Sequence, residues 1–179
     1  SWTHWLRNIP ELSKHYRLIV ADLPGLGSSD KPPRPFDNDD LPGSMTMLAE
    51  IMRTGIDELL GKDAPYRLVG FSFGSILGGH MAAGEGARLK SLTLVGSAAM
   101  GLPRNPLRAE LMRVPRNAPV AEGIEIQRRN LSIHMLSSPG RVDDLAAWLQ
   151  WRNLQDTRVR GRRVAPTDLL AKALPKIGA

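Results

Sequence analysis

Residues 70 to 75 read Gly70-Phe71-Ser72-Phe73-Gly74-Ser75, "GFSFGS", and the reading of this stretch decides the fold. The spacing Gly-x-Ser-x-Gly is short, and a chain holding 17 glycines meets it readily by chance, so the flanks carry the decision. Upstream, "YRLVG" from Tyr66 to Gly70 has the polar start and apolar run of a short buried strand. Downstream, Ile76, Leu77, Met81 and Ala82 fall near helical spacing. Strand, tight turn and helix in that order place Ser72 at the apex of a strained bend and predict a nucleophile there. Such a bend needs small neighbours. Gly70 and Gly74 are expected to supply the clearance, and Gly78 and Gly79 to let the helix lie close to another element. The N–H of Phe73, at the helix start, is then expected to face an oxyanion forming on a carbonyl attacked by Ser72. The competing reading is a glycine-rich turn without chemistry; the flanks favour the nucleophile.

Composition bounds the rest. A chain of 179 residues with 42% apolar content suits one domain with a sizeable core. No run reaches the roughly 20 apolar residues of a membrane span and nothing reads as a signal peptide, so no membrane association and a cytoplasmic location are expected. The absence of cysteine excludes disulfides, cysteine nucleophiles and thiolate metal sites within these residues. The four histidines, His4, His15, His80 and His134, show no ligand spacing, so neither a metal nor a cofactor is expected. The formal charge of +6 is unevenly placed: residues 102–165 hold twelve arginines, no lysine and six acids, while the remainder carries twelve basic and twelve acidic residues. "RVRGRR", Arg158 to Arg163, admits a nucleic-acid reading, but no nucleic-acid motif accompanies it. A solvated helical surface is the better account, with steering of an acidic substrate as a further possibility.

Along the chain, "SWTHWLRNIPELSKHY" predicts a helix capped by Ser1 or Thr3 that presents Trp2, Trp5, Leu6 and Leu12 to a core. Leu18 to Ala21 predicts a strand, followed by a loop rich in Gly, Pro and Ser and an exposed connection from Pro32 to Gly43. From Ser44 to about Leu60, Met45, Leu48, Ile51, Met52, Ile56, Leu59 and Leu60 form one helical stripe, stopped by Gly61. "SLTLVGSA" from Ser91 reads as a third buried strand. Strands alternating with helices imply an α/β fold: a partial parallel sheet of three recognisable strands, flanked by helices. After Gly101 come prolines at 103, 106, 115 and 119, then helical patterns near 121–135 and 142–154, then a last helix from Pro166 or Thr167. The expected organisation is an incomplete core over 1–101, a helical cap insertion over 102–165, and a helix over 166–179 returning to the core.

These residues resemble the α/β-hydrolase fold superfamily, in its cap-bearing esterase and C–C hydrolase branches. "SWTHW" is similar to the helix after that family's oxyanion loop, "ADLPGLGSSDKP" (Ala21 to Pro32) to the loop after its fourth strand, and "GFSFGS" to its nucleophile elbow. The second and third pieces together are specific, and the resemblance covers essentially the whole chain. It implies two or three strands and an "HG"-type loop carrying the second oxyanion donor before Ser1, and a catalytic acid and histidine after Ala179. On that reading this is an internal piece, inactive by itself, whose strands at Leu18 and Leu68 lack the neighbour they share in the family's sheet.

The residues present offer Ser72 no evident base. His80 lies eight positions on, about 12 Å away along a helix. His134 falls in the cap stretch and is expected at the substrate pocket, with a structural role or a surrogate base as the alternatives; His4 is expected near the mouth of the site, and His15 in a loop. Asp22 is expected to hold its glycine-rich loop through backbone hydrogen bonds. The family's alternative acid position corresponds to Ser97 and Ala98, neither of which can serve. Phe71, Phe73, Met135, Trp148 and Trp151 are expected to line an apolar pocket, though core packing explains each about as well. The function implied is a serine-nucleophile hydrolase acting on a small carbonyl compound, an ester, thioester, lactone or C–C bond, through a tetrahedral and acyl-enzyme intermediate. Serine at the apex argues against the dehalogenase and epoxide hydrolase branches, while an acyltransferase or cofactor-free haloperoxidase would use the same elbow. The alternative is a member of the fold that binds a ligand or partner without turnover.

Overall fold

The computed structural model describes residues 1–103, 107–136, 138, 140–159 and 161–178. Arg104, Pro106, Arg160 and Ala179, among the residues discussed above, lie outside them. The chain divides into two compact units. One comprises Ser1–Asp22, Leu26–Ser28 and Asn105–Thr157; the other comprises Leu23–Gly25, Ser29–Arg104 and Arg158–Ala179.

The first unit is built of helices. Trp2–Trp5 forms one 3-10 turn whose N-terminal Thr3 N–H donates to the Ser1 hydroxyl, and α1 follows over Ile9–Leu12. Trp2 and Leu12 are exposed, against the expectation that this segment turns both toward a core. Two short pieces separated by a turn cannot hold the single stripe that one long helix would.

In the second unit the chain first builds α2 over Leu41–Leu60. Asp40 caps it, accepting the Gly43 N–H at 2.9 Å. Gly61 stops it at φ +89°, a backbone region that favours glycine. Its stripe is buried chiefly in its first half, at Met45, Met47, Leu48 and Ala49, and Leu59 at the far end is exposed. Then come β1 (Tyr66–Phe71), α3 (Phe73–Ala82) and β2 (Leu89–Val95). The two strands pair in parallel, Leu68 opposite Leu92 and Gly70 opposite Leu94. This is the βαβ unit that a helical crossover between parallel strands produces.

Among the described residues the sheet has two strands, not the three expected. Leu18–Ala21 has no ladder partner among the described residues. Apolar alternation marks a segment that suits a sheet, but a strand exists only where a neighbour takes its backbone N–H and C=O groups. On the paired strands Leu68, Leu92 and Leu94 are partly buried, whereas Val69 and Val95 point outward and are exposed. The inward residues meet α3, where a Cβ on Gly78 would sit 3.5 Å from Leu68 and 3.6 Å from Leu92. A Cβ on Gly79 would fall 2.3 Å from Leu170 of α6 (Leu169–Ala173), which explains why that face of α3 is bare. Met45, Leu48, Ile76, Leu77, Val164 and Leu170 are each at most 1% exposed and form the centre of this core.

At the start of the strands an ion network ties the helix ends together. The Glu85 carboxylate, its side chain 2% exposed, accepts from Arg53 Nε at 2.6 Å. Arg88 reaches Glu85 and Asp57 and donates to the carbonyls of Ala64 and Gly61, while its guanidinium lies 5.3 Å from the centroid of the Tyr66 ring.

The first unit continues with α4 (Val120–His134) and α5 (Asp144–Gln155), near the helices expected there. Gly123 admits the Trp151 indole, whose Nε1 would lie 2.7 Å from a Cβ at that position. Asn130 bonds both the N–H and the C=O of Met112 at 2.9 Å, fixing the irregular chain before α4 as a strand neighbour would. Asp143 caps α5 through the Ala146 N–H at 2.9 Å and also pairs with Arg7. No helix among the described residues is long and apolar enough to cross a membrane.

Candidate active site

The site begins at the end of β1. Gly70 is buried, and a Cβ there would lie 2.4 Å from the Gly74 carbonyl oxygen and 2.7 Å from the Ser75 Cα. Only a bare backbone lets the first turn of α3 fold back this closely over the strand. Gly74 differs from the expectation. A Cβ there would meet only Leu23 Cδ1, at 4.0 Å, so the clearance comes from Gly70 and not from Gly74.

Between the two glycines Ser72 has φ +52° and ψ −116°, in the left-handed half of the backbone map that a side chain rarely adopts. Its N–H donates to the Val95 carbonyl at 2.9 Å, tying the bend to the end of β2. Ser72 is exposed and stands at the N-cap of α3, yet its hydroxyl makes no capping bond. Phe73 is the first residue of α3, where an N–H has no carbonyl four residues back within the helix to accept it. That group, at the positive end of the helix dipole, is suited to receive negative charge. The Phe73 ring packs edge-on against Phe36, with centroids 6.4 Å apart, and a Cβ on Gly161 would come within 2.6 Å of it. Phe71 is half-buried at the strand end, and its ring lies 3.4 Å from where a Gly96 Cβ would be.

A residue that sequence reading passed over sits one helical turn beyond Ser72. Ser75 is fully buried, and its hydroxyl lies 2.7 Å from the Gly70 carbonyl and 3.0 Å from that of Val95. Its i+3 spacing from Ser72 was the available signal, but partners lying in two strands could not be read from spacing.

The other expected site residues are placed as follows. His134, Met135, Trp148 and Trp151 belong to the other unit, together with His4 and His15. His134 is exposed, its Nδ1 bonded to the Asn130 carbonyl of its own helix; Trp148 is exposed; Met135 and Trp151 are half-buried. His80 is therefore the only histidine in the unit that holds Ser72. Its Nε2 is buried without a protein partner, and burial, then the nearby charge of Lys176, push its imidazole below the ordinary histidine range.

In the glycine-rich loop Asp22 accepts the N–H of Trp2 and of Ser28, each at 3.0 Å, as expected of a loop anchor. Burial opposes the charge on Asp22, but the Ser28 and Trp2 N–H groups hold its carboxyl below the usual range. Both oxygens are thereby engaged in backbone bonds. Among the described residues no group of three or more His, Cys, Asp or Glu side chains could hold a metal ion.

Comparison with known proteins follows the same lines. The profile of the alpha/beta hydrolase fold family matches residues 1–124. The chain is 32% identical over 110 residues to a cis-3-alkyl-4-alkyloxetan-2-one decarboxylase of Xanthomonas campestris pv. campestris, covering 58% of this chain and 35% of that protein. It is 36% identical over 98 residues to the dihydrolipoyllysine-residue acetyltransferase component of an acetoin cleaving system of Pseudomonas putida, covering 55% of this chain and 24% of that protein. The chain thus spans about a third of the first relative's length and about a quarter of the second's. No solved structure matches it.

Proposed function

The chain belongs to the α/β-hydrolase fold family, whose members are generally hydrolytic enzymes, and on that premise we propose that Ser72 is the nucleophile of a hydrolase acting at a carbonyl carbon. The observation that carries the reading is the backbone of Ser72. A serine held at φ +52° between a strand and a helix, with an exposed hydroxyl free of capping duty, is strained in a way that only its surroundings maintain. A plain turn would have relieved that strain with glycine.

In the proposed reaction the Ser72 Oγ attacks the carbonyl carbon as its proton passes to a base. The oxygen gains negative charge and is received by the Phe73 N–H. Collapse of the tetrahedral intermediate breaks the bond to the leaving group, which takes the proton from the base, and leaves an acyl-serine. Water then attacks the acyl carbon, giving its proton to the base, and that proton returns to the Ser72 oxygen as the acid is released. Esters, thioesters, lactones and activated C–C bonds share this course. Of the two relatives, one is named as a decarboxylase of an oxetan-2-one, a four-membered cyclic ester, and the other as an acetyltransferase; both act at a carboxyl-derived carbon, and neither name specifies hydrolysis.

His80 lies about 12 Å along α3 from Ser72, too far for direct proton transfer, and the base is assigned to no histidine of this chain. On the family resemblance, residues 1–179 alone are expected not to turn over substrate. The same observation supports a second reading, a family member that binds a ligand without chemistry. Labelling of the complete protein with a fluorophosphonate separates the two. Covalent modification at Ser72, abolished in Ser72→Ala, supports the hydrolase; folded protein that stays unlabelled supports the binding module.

A further inference from the structure

We propose that Ser75 is a positioning residue, whose hydroxyl holds Ser72 in its strained conformation by tying the ends of both strands to the first turn of α3. The proposal rests on the reading of Ser72 as nucleophile for its functional consequence, but its geometry stands apart from that reading.

A serine inside a helix ordinarily turns its hydroxyl to the carbonyl three or four residues back in the same helix. Ser75 does otherwise. Its Oγ reaches the Gly70 carbonyl at 2.7 Å, before the bend, and the Val95 carbonyl at 3.0 Å, at the end of β2. A hydroxyl has one proton, so these two acceptors share it or alternate. The Val95 oxygen also takes the Ser72 N–H at 2.9 Å. Two donors from the elbow, one on Ser72 itself and one on the next turn, therefore converge on a single carbonyl. The missing Cβ of Gly70 is what allows the approach, since a side chain there would lie 2.7 Å from the Ser75 Cα.

A conformation such as φ +52° and ψ −116° in a non-glycine residue persists only where its neighbours over-determine it. On the strand side of Ser72 the constraint is the Gly70 carbonyl; across the sheet it is the Val95 carbonyl. Ser75 is the side chain that touches both. The Ser75 side chain is fully buried, and its bond to the Gly70 carbonyl lies in the interior, while the bond to Val95 is partly buried at the strand end. Removing it frees the Val95 carbonyl to reorient, which loosens the Ser72 N–H bond and widens the range of directions that the Ser72 hydroxyl samples.

The test is Ser75→Ala in the complete protein, with three readouts: hydrogen exchange at the Ser72 amide relative to that of Leu48, fully buried inside α2, the rate of fluorophosphonate labelling at Ser72, and the melting temperature. The expected result is exchange at Ser72 about tenfold faster with Leu48 unchanged, and labelling about tenfold slower, the scale of one hydrogen bond's net contribution. The variant is expected to remain folded. An unchanged Ser72 amide in folded protein overturns the proposal, as does an equal acceleration at Ser72 and Leu48, which would mark a purely global loss of stability. If the unsubstituted protein is not labelled at Ser72, the nucleophile reading fails and the exchange ratio alone decides the role of Ser75. If Ser75→Ala does not fold, Ser75→Cys, a near-isosteric weak donor, takes its place. An intermediate acceleration at Ser72 then supports the proposal and none overturns it.

Discussion

The Cβ that Gly70 lacks would lie 2.4 Å from the carbonyl oxygen of Gly74, closer than any side-chain carbon can stand to backbone. Neither partner is a movable side-chain tip, so Gly70→Ala must push the first turn of α3 away from β1. The expected loss is about 1–3 kcal/mol, the usual range for overpacking. Gly74→Ala gives the opposite result, because its Cβ would meet only Leu23 at 4.0 Å. Glycine inside a helix is less favourable than alanine by about 0.8–1 kcal/mol, so this variant should gain up to that amount. Denaturant midpoints of the two variants, compared with the unsubstituted protein, check both signs.

Ser72→Gly should be more stable than Ser72→Ala. Both remove the hydroxyl and both should abolish labelling, but only glycine adopts φ +52° without strain. A residue held in such a region carries about 1–3 kcal/mol of strain, and a stability gap of that order in favour of glycine is expected. Equal melting temperatures would mean that the bend holds no strain.

Glu85 is the buried member of an ion network, with Arg53 Nε at 2.6 Å and Arg88 at 3.5 Å. Glu85→Ala leaves two guanidinium groups facing the place it occupied. A loss of about 1.5–3 kcal/mol is expected, the range for a hydrogen bond to a charged group, since Arg53 is 39% exposed and Arg88 keeps Asp57. Arg7→Ala removes the exposed partner of Asp143 and should lose about 1 kcal/mol or less. Chemical denaturation of the two variants side by side measures the contrast.

The pH dependence of stability should carry a signature of His80. Its imidazole is held below the ordinary value of 6.5 by burial and then by Lys176. The unfolded chain therefore takes up a proton near that value while the folded chain resists it. Stability from this group is complete above pH 6.5 and declines as the pH falls below it toward the depressed folded value. Carboxylates titrate mainly nearer pH 4, so melting temperatures between about pH 6.5 and 5 report the histidines, of which burial holds His4 low as well. His80→Gln should flatten the curve in that window in part, leaving the share of His4.

Gly161→Ala should displace the Phe73 ring, which the new Cβ would meet at 2.6 Å. The ring lies at the far end of a side chain and can move, so the fold should survive with a loss of about 1–2 kcal/mol. A drop in the labelling rate at Ser72 without loss of folding is the expected readout, since Phe73 begins the helix turn next to the nucleophile. Unchanged labelling would show that the Phe73 backbone does not follow its ring.

The parts of this fold legible in the sequence are those in which a local pattern decides the structure. The strand and helix flanking Ser72 were readable because apolar alternation gives way to helical spacing within a few residues. Helices α2, α4 and α5 were readable for the same reason, each having a stripe to bury. Leu18–Ala21 was not, because a ladder requires a partner that no local pattern reports. The shared clearance assigned to Gly74 failed because the direction in which a helix leaves a strand is a three-dimensional fact. Ser75 was missed on similar grounds: its partners are backbone carbonyls, and a carbonyl has no letter in the sequence. The grouping of residues 1–22 with 105–157 depends on contacts more than eighty positions apart, such as Thr3 with Asn153 at 2.9–3.2 Å.

The outward valines of the two-stranded sheet have a practical corollary. Val69 and Val95 are 47% and 42% exposed on a parallel sheet, an arrangement usually covered on both faces. At low ionic strength the net charge of +6 keeps such molecules apart. Near 0.15 M salt the repulsion reaches only about 8 Å, and the bare valines can then find one another. Preparations of residues 1–179 should therefore turn cloudy as salt is raised and clear again on dilution, the reverse of a protein whose self-association is held by ion pairs.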